Sequence, residues 1–222
     1  SSNNAMFIFS AKDTGGVENK GVGINRFECS IDNSNYVTCT SPLGIKSLSE
    51  GLHYLRIFSK DNVGNMRSLP ASINWTVDTL PPATSINSAI DGNNKTLDNK
   101  DNSSSTSITF TITGSDSGGV GVNHIECSLD GGPFAICKSP IEYSSSNISD
   151  GAHIFEARAV DTVGNKDHSP STFTWTVDTV PPDANIDSAS DGKRISIDTG
   201  GNTSSNSMTF NFSGIDTGGK EG

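Results

Sequence analysis

Hard oxygen ligands recur along this chain at matched positions. Asp61, Asn65, Asp78 and Asp91 return as Asp161, Asn165, Asp178 and Asp191, each 100 positions later. Asp13, Asp116 and Asp216 form a further recurring acid. Calcium is held by several carboxylate and carbonyl oxygens gathered at one place. The four matched pairs are therefore the candidate metal ligands, and calcium is the cofactor they suggest. The competing reading is structural: Asp and Asn before Gly also build ordinary turns, because their side chains bond local backbone and tolerate left-handed geometry. The sequence holds no EF-hand loop and no calcium-binding nonapeptide repeat.

Four cysteines fall into two matched pairs, Cys29 with Cys39 and Cys127 with Cys137. An even count at a repeated spacing reads as one disulfide per copy, in an oxidising, extracellular setting. Buried free thiols are the alternative. Zinc fits poorly, since there is no CxxC and no nearby His pair. His53 and His153 alternate onto the inward side of a strand and read as packed, hydrogen-bonded histidines. Trp75 and Trp175 also face inward, as core anchors rather than carbohydrate platforms. Acceptor sequons for N-glycosylation stand at Asn74, Asn94, Asn102, Asn147, Asn202 and Asn211. Asn74 and Asn211 alternate with Trp75 and Phe212, so the asparagines should face solvent and the aromatics the core. No nucleophile elbow, paired catalytic carboxylate motif, Walker loop or zinc spacing is found. No catalytic residue is assigned, and an enzyme is not expected.

The elements that carry these residues repeat as well. Gly51, His53, Gly64, Pro70, Pro81, Pro82 and Gly92 return 100 residues on as Gly151, His153, Gly164, Pro170, Pro181, Pro182 and Gly192. A repeat this regular means an array of one module. The best-preserved copy predicts seven short strands: 82–86, 107–113, 124–129, 134–137, 141–143, 153–160 and 172–177. Period-two alternation, with turn residues between, is the all-β sandwich pattern. No segment has a helical period. The polar tracts at Ser103–Ser105 and Ser204–Ser207 read as flexible.

The boundaries read as residues 1–79, a first copy lacking its first strand; 80–179, a second copy; and 180–222, the first two strands of a third. The loop after Asp13 in the first copy carries five extra residues around Glu18 to Gly21. The chain thus reads as a cut from a longer array, or as a unit whose end copies are completed by neighbouring copies through strand addition. The two prolines at each junction fix φ and bias the preceding residue to extended geometry, which makes a short, stiff spacer.

Composition limits the partners. Net charge is −10 and the pI about 4.7, so the chain repels phosphate backbones and nucleic acid is not expected. No stretch approaches the ~20 apolar residues that span a bilayer.

The runs Ile125–Pro140, Asp150–Asn165 and Phe173–Pro182, with their Asp-x-x-Gly-Asn turn and Val-Asp-Thr-x-Pro-Pro junction, resemble the immunoglobulin-like repeats of large bacterial and archaeal cell-surface adhesin or filament proteins. The resemblance covers essentially the whole chain. It implies tandem immunoglobulin-like β-sandwiches in a non-catalytic, extracellular array, with calcium at or near domain junctions in some relatives. The cysteine pair inside the hairpin is not shared by all such repeats and implies a disulfide-using subgroup. The leading function is a structural segment that gives reach and rigidity, with neighbouring copies or further repeats of the same protein as partners. The alternatives are a module binding cell-surface or glycan ligands, and accessory repeats of a secreted enzyme.

Overall fold

The computed structural model describes residues 2–14 and 21–217. Most of the predicted insertion around Glu18 lies outside the described residues. The chain is all-β, and among the described residues there is no helix. The strands are β1 (Ala5–Phe7), β2 (Ile24–Ile31), β3 (Val37–Cys39), β4 (Leu43–Ile45), β5 (Gly51–Asp61), β6 (Ala71–Val77), β7 (Ala83–Asp91), β8 (Asn102–Ser103), β9 (Ile108–Ser115), β10 (Val122–Leu129), β11 (Ala135–Cys137), β12 (Ile141–Tyr143), β13 (Gly151–Asp161), β14 (Ser171–Val177), β15 (Asp183–Asp191) and β16 (Met208–Ile215). They form sheets of order β3-β2-β5-β6, β1-β4, β11-β10-β13-β14-β8, β12-β9-β7 and β15-β16.

By Cα proximity the chain falls into two compact units. The first takes in Ser1–Thr84, Gly114–Ile125 and Arg158–Ser169. Here β2 pairs antiparallel with β3 and β5, and β5 with β6. Side chains alternate across a strand, so Cys29, His53, Leu55 and Val77 turn inward and are buried. The ring of Phe7 lies 4.8 Å from Trp75, and Phe9 lies 5.0 Å from Phe27. The β2–β3 connection places Asp32 and Asn33 at φ 50° and 62°, left-handed geometry that Asp and Asn tolerate, in a turn closed by Ser34 N–H donating to Ile31 O at 2.8 Å.

The second unit takes in Ser85–Thr113, Glu126–Ala157 and Pro170–Gly222. Its core is aromatic. Phe110 of β9 stacks on Phe155 of β13 at 4.1 Å and meets Phe173 and Trp175 of β14 edge-on at 5.5 and 5.6 Å. Offset and edge-to-face rings add stabilisation beyond area burial. The Ser103 tract is ordered by hydrogen bonds rather than loose. Ser103 pairs in parallel with Val177 and donates through Oγ to Asp91 at 2.6 Å.

One inward expectation is corrected. Phe212 is 80% exposed, like every residue of β16, which pairs with β15 alone among the described strands. Ile73 shares the parity of Trp75 but is 52% exposed. The β1–β4 sheet has two strands where β12-β9-β7 has three, so less apolar surface is offered to that end of β6.

Candidate metal centre

Three acids meet in the first unit. Ligand oxygens of Asp78, Asp116 and Asp161 all lie within 4.8 Å of one another, and no other such group of His, Cys, Asp or Glu occurs among the described residues. Asp78 and Asp161 are 5% and 1% exposed. Each acid arrives by a different route. Asp78 follows β6, just before Pro81 and Pro82. Asp116 opens the loop after β9. Asp161 closes β13.

Local backbone explains each placement. Asp161 begins the Asp-x-x-Gly-Asn turn, in which its N–H donates to Asn165 O at 3.0 Å and Gly164 takes φ +92°. Its Oδ1 accepts the N–H groups of Val163 and Asn165, and its Oδ2 accepts Asn165 Nδ2 at 2.6 Å. Asp78 Oδ1 accepts Leu80 N–H at 3.0 Å, and Oδ2 accepts Val120 N–H at 2.9 Å. Thr79 beside it donates both N–H and O–H to the carboxylate of Glu50. Asp116 Oδ2 accepts Gly121 N–H at 2.7 Å. The loop curls so closely that a Cβ on Gly119 would sit 2.3 Å from Asp116 Oδ1; only glycine leaves that space open.

The electrostatics ask for a cation. At ~5 Å and an effective dielectric near 20, two like charges repel by about 3 kcal/mol. Burial works against the charge of Asp161, but the backbone and side-chain bonds from Asn165, with those from Val163 and Gly164, outweigh it and hold the carboxyl below the usual 3.8. The decisive atom is Asp116 Oδ1, which is buried with no hydrogen-bond partner. An unpaired buried acceptor is costly, and a cation among the three acids would satisfy it. Carboxylates anchored by N–H donors keep further lone pairs, and calcium accepts such an irregular set completed by carbonyls and waters. The residues therefore fit the ion.

Asp78 and Asp161 of the sequence-derived ligand set meet at this point; the other members lie elsewhere or act differently. Asn165 points its amide N–H groups at Asp161 and at the carbonyls of Asp78 and Leu80, the latter two at 3.2 Å, and so positions Asp161. Asp61 repeats the Asp161 turn, accepting from Val63 N–H and from both the N–H and amide of Asn65. Asp91 is buried, with Oδ2 bonded to Ser103 and Oδ1 to the N–H groups of Asn93 and Lys95; Asp191 repeats this with Thr203. Asp178 accepts Val180 N–H. Asp116 is the candidate acid the set left out, although its recurrence as Asp13 and Asp216 was visible in the sequence.

The remaining singled-out residues are placed as follows. Cys29 is bonded to Cys39 and Cys127 to Cys137, each closing a separation of 10 residues. His53 and His153 are buried and hydrogen-bonded. Trp175 is buried, while Trp75 is half-buried with its Nε1 enclosed and unpaired. Asn74, Asn94, Asn102, Asn147, Asn202 and Asn211 are all exposed. No helix among the described residues is long and apolar enough to cross a membrane.

No family model matches the chain, and no curated protein does. Similar solved structures include the fibronectin(III)-like modules of Clostridium thermocellum CbhA, at 16% identity and TM-score 0.38, covering 78% of this chain and 84% of that one. The tetra-tandem repeat in the extending region of a large adhesion protein is 16% identical with TM-score 0.33, covering 87% of this chain and 58% of that one. The D00-D0 domain of intimin is 12% identical with TM-score 0.28, covering 79% and 92%.

Proposed function

We propose that this chain is a structural segment of an extracellular surface protein or filament, built of tandem immunoglobulin-like β-sandwiches with calcium-stiffened junctions. The copies are residues 1–79, 80–179 and 180–222. One observation carries the reading. Asp78, from the end of the first copy, converges with Asp116 and Asp161 of the second around a buried oxygen that lacks a partner. A ligand set drawn from consecutive copies fixes the joint between them, and a stiff joint is what an array needs for reach. Two disulfides support an oxidising, extracellular location. The exposed sequons are compatible with glycosylation of such a surface protein. The role is mechanical, not catalytic.

The test is thermal unfolding with calcium and with a chelator. At ten times its Kd, a ligand that binds only the folded state adds about 1.4 kcal/mol. For a module of ~100 residues that raises Tm by several degrees. Equal transitions in both solutions, together with no binding heat on titration of calcium, would remove the metal and with it the junction mechanism.

A further inference from the structure

Each cysteine hairpin is fastened to the neighbouring long strand by a histidine whose two ring nitrogens both face acceptors. In the first copy, His53 Nδ1 lies 2.7 Å from Asp32 Oδ2, and Nε2 lies 2.8 Å from the carbonyl oxygen of Ser49. A neutral imidazole carries one N–H and one lone pair, so it can satisfy only one of these partners; the doubly protonated ring satisfies both. The other way to balance the bonds is a protonated Asp32 donating to a neutral ring. Asp32 opposes it: the bonds from His53 and from Tyr54 N–H hold its carboxyl below the usual 3.8. Trp75 completes the enclosure, with its ring centroid 5.7 Å from that of His53, within the range at which an aromatic face attracts a cation.

The neighbours are few. Asp32 comes from the β2–β3 turn, the Ser49 carbonyl from the segment before β5, and Trp75 from β6. Among the described residues, Asp32 is the one charged group that acts on the ring. It also holds the turn itself, since Oδ1 accepts Tyr54 N–H at 2.8 Å while Asp32 N–H donates to Tyr54 O at 2.9 Å. The arrangement recurs at His153, with Asp130 Oδ2 at 2.8 Å, Ser149 O at 2.7 Å and the Trp175 ring at 5.2 Å.

We propose that His53 is a buried imidazolium that locks the cysteine hairpin to β5, and that losing its proton releases the hairpin turn. The sign follows from the partners. The Ser49 carbonyl, and then Asp32, raise His53 above its usual 6.5 against the effect of burial. The lock is therefore fully engaged below 6.5 and is lost as pH rises through the higher folded value. Alkaline conditions loosen the hairpin while the disulfide stays closed.

Nitrogen-detected NMR of the histidine rings in the full chain tests this directly. One pH unit above 6.5, an ordinary histidine is about nine-tenths neutral. His53 is expected to keep two protonated nitrogens there. Exchange of the Tyr54 amide should speed up, relative to the Asp61 amide, as His53 loses its proton. Asp32→Asn should lower the His53 midpoint, and unaltered methyl resonances of Leu55, buried in the same unit, would establish that the variant folds. One bare nitrogen on His53 at that pH would overturn the proposal. So would a wild-type midpoint at or below 6.5, or an Asp32→Asn chain whose His53 titrates as in the wild type.

Discussion

The first and second copies of the module share a register but not a core. His53 faces Trp75 as His153 faces Trp175, and Leu55 faces Ile73 as Phe155 faces Phe173. Yet Phe173 is 8% exposed and Ile73 is 52% exposed. The acid sites differ in the same direction. Asp13 accepts Gly23 N–H as Asp116 accepts Gly121 N–H, and Asp61 heads the same turn as Asp161. No counterpart of Asp78 joins Asp13 and Asp61 among the described residues. At the three-acid site the third carboxylate is that of Asp78, which follows β6, so the contrast between the two acid pairs lies in that one group.

Four substitution experiments can break or sharpen that contrast. Phe173→Ala should destabilise by about 3–5 kcal/mol, as for a fully packed aromatic, and Ile73→Ala by only about 1 kcal/mol. Equal losses by denaturant unfolding would mean that the two cores are equally closed. The disulfides should instead behave alike. Cys29→Ser with Cys39→Ser, and Cys127→Ser with Cys137→Ser, should each cost roughly 2–3 kcal/mol, since both loops close over 10 residues. Unequal costs in denaturant would show that the open core shifts the burden onto its covalent link.

Next in size is the acid pair. In calcium at ten times Kd, Asp116→Asn should lose the ~1.4 kcal/mol of ion-dependent stability and Asp13→Asn almost none, as read from melts with and without chelator. Smallest is the acid limb of the stability curve. Burial opposes the charge of Asp91, but the bonds from Ser103, Lys95 and Asn93 prevail and set its carboxyl below 3.8. Its contribution is present above 3.8 and lost as pH falls through the lower folded value. Asp91→Asn should flatten that limb without altering the alkaline side. An unchanged limb would mean that Ser103 holds the loop whether or not the acid is charged.

Much of the fold was legible because alternation and turn chemistry are local. The predicted 141–143 strand coincides with β12, five others lie within two residues of their observed limits, and the 82–86 strand runs on five residues further, to Asp91 of β7. β8 was not legible: two polar residues have no alternation, and its parallel pairing with β14 depends on Asp91 holding Ser103 from 12 residues away. Phe212 was misplaced for a related reason. Parity tells which side a residue faces, while burial depends on what stands opposite. The site was half legible. Recurrence marked every acid equally, and it could not separate Asp91, whose oxygens are satisfied by serine and backbone, from Asp116, which keeps one oxygen free.

The short cysteine loop has a consequence under tension. A pulled chain lengthens by about 3.5 Å per released residue. A link across 10 residues therefore withholds about 35 Å, against about 350 Å for a module of ~100 residues. The disulfide thus barely limits the length released. In a load-bearing array the slack available from each module would remain nearly its full contour.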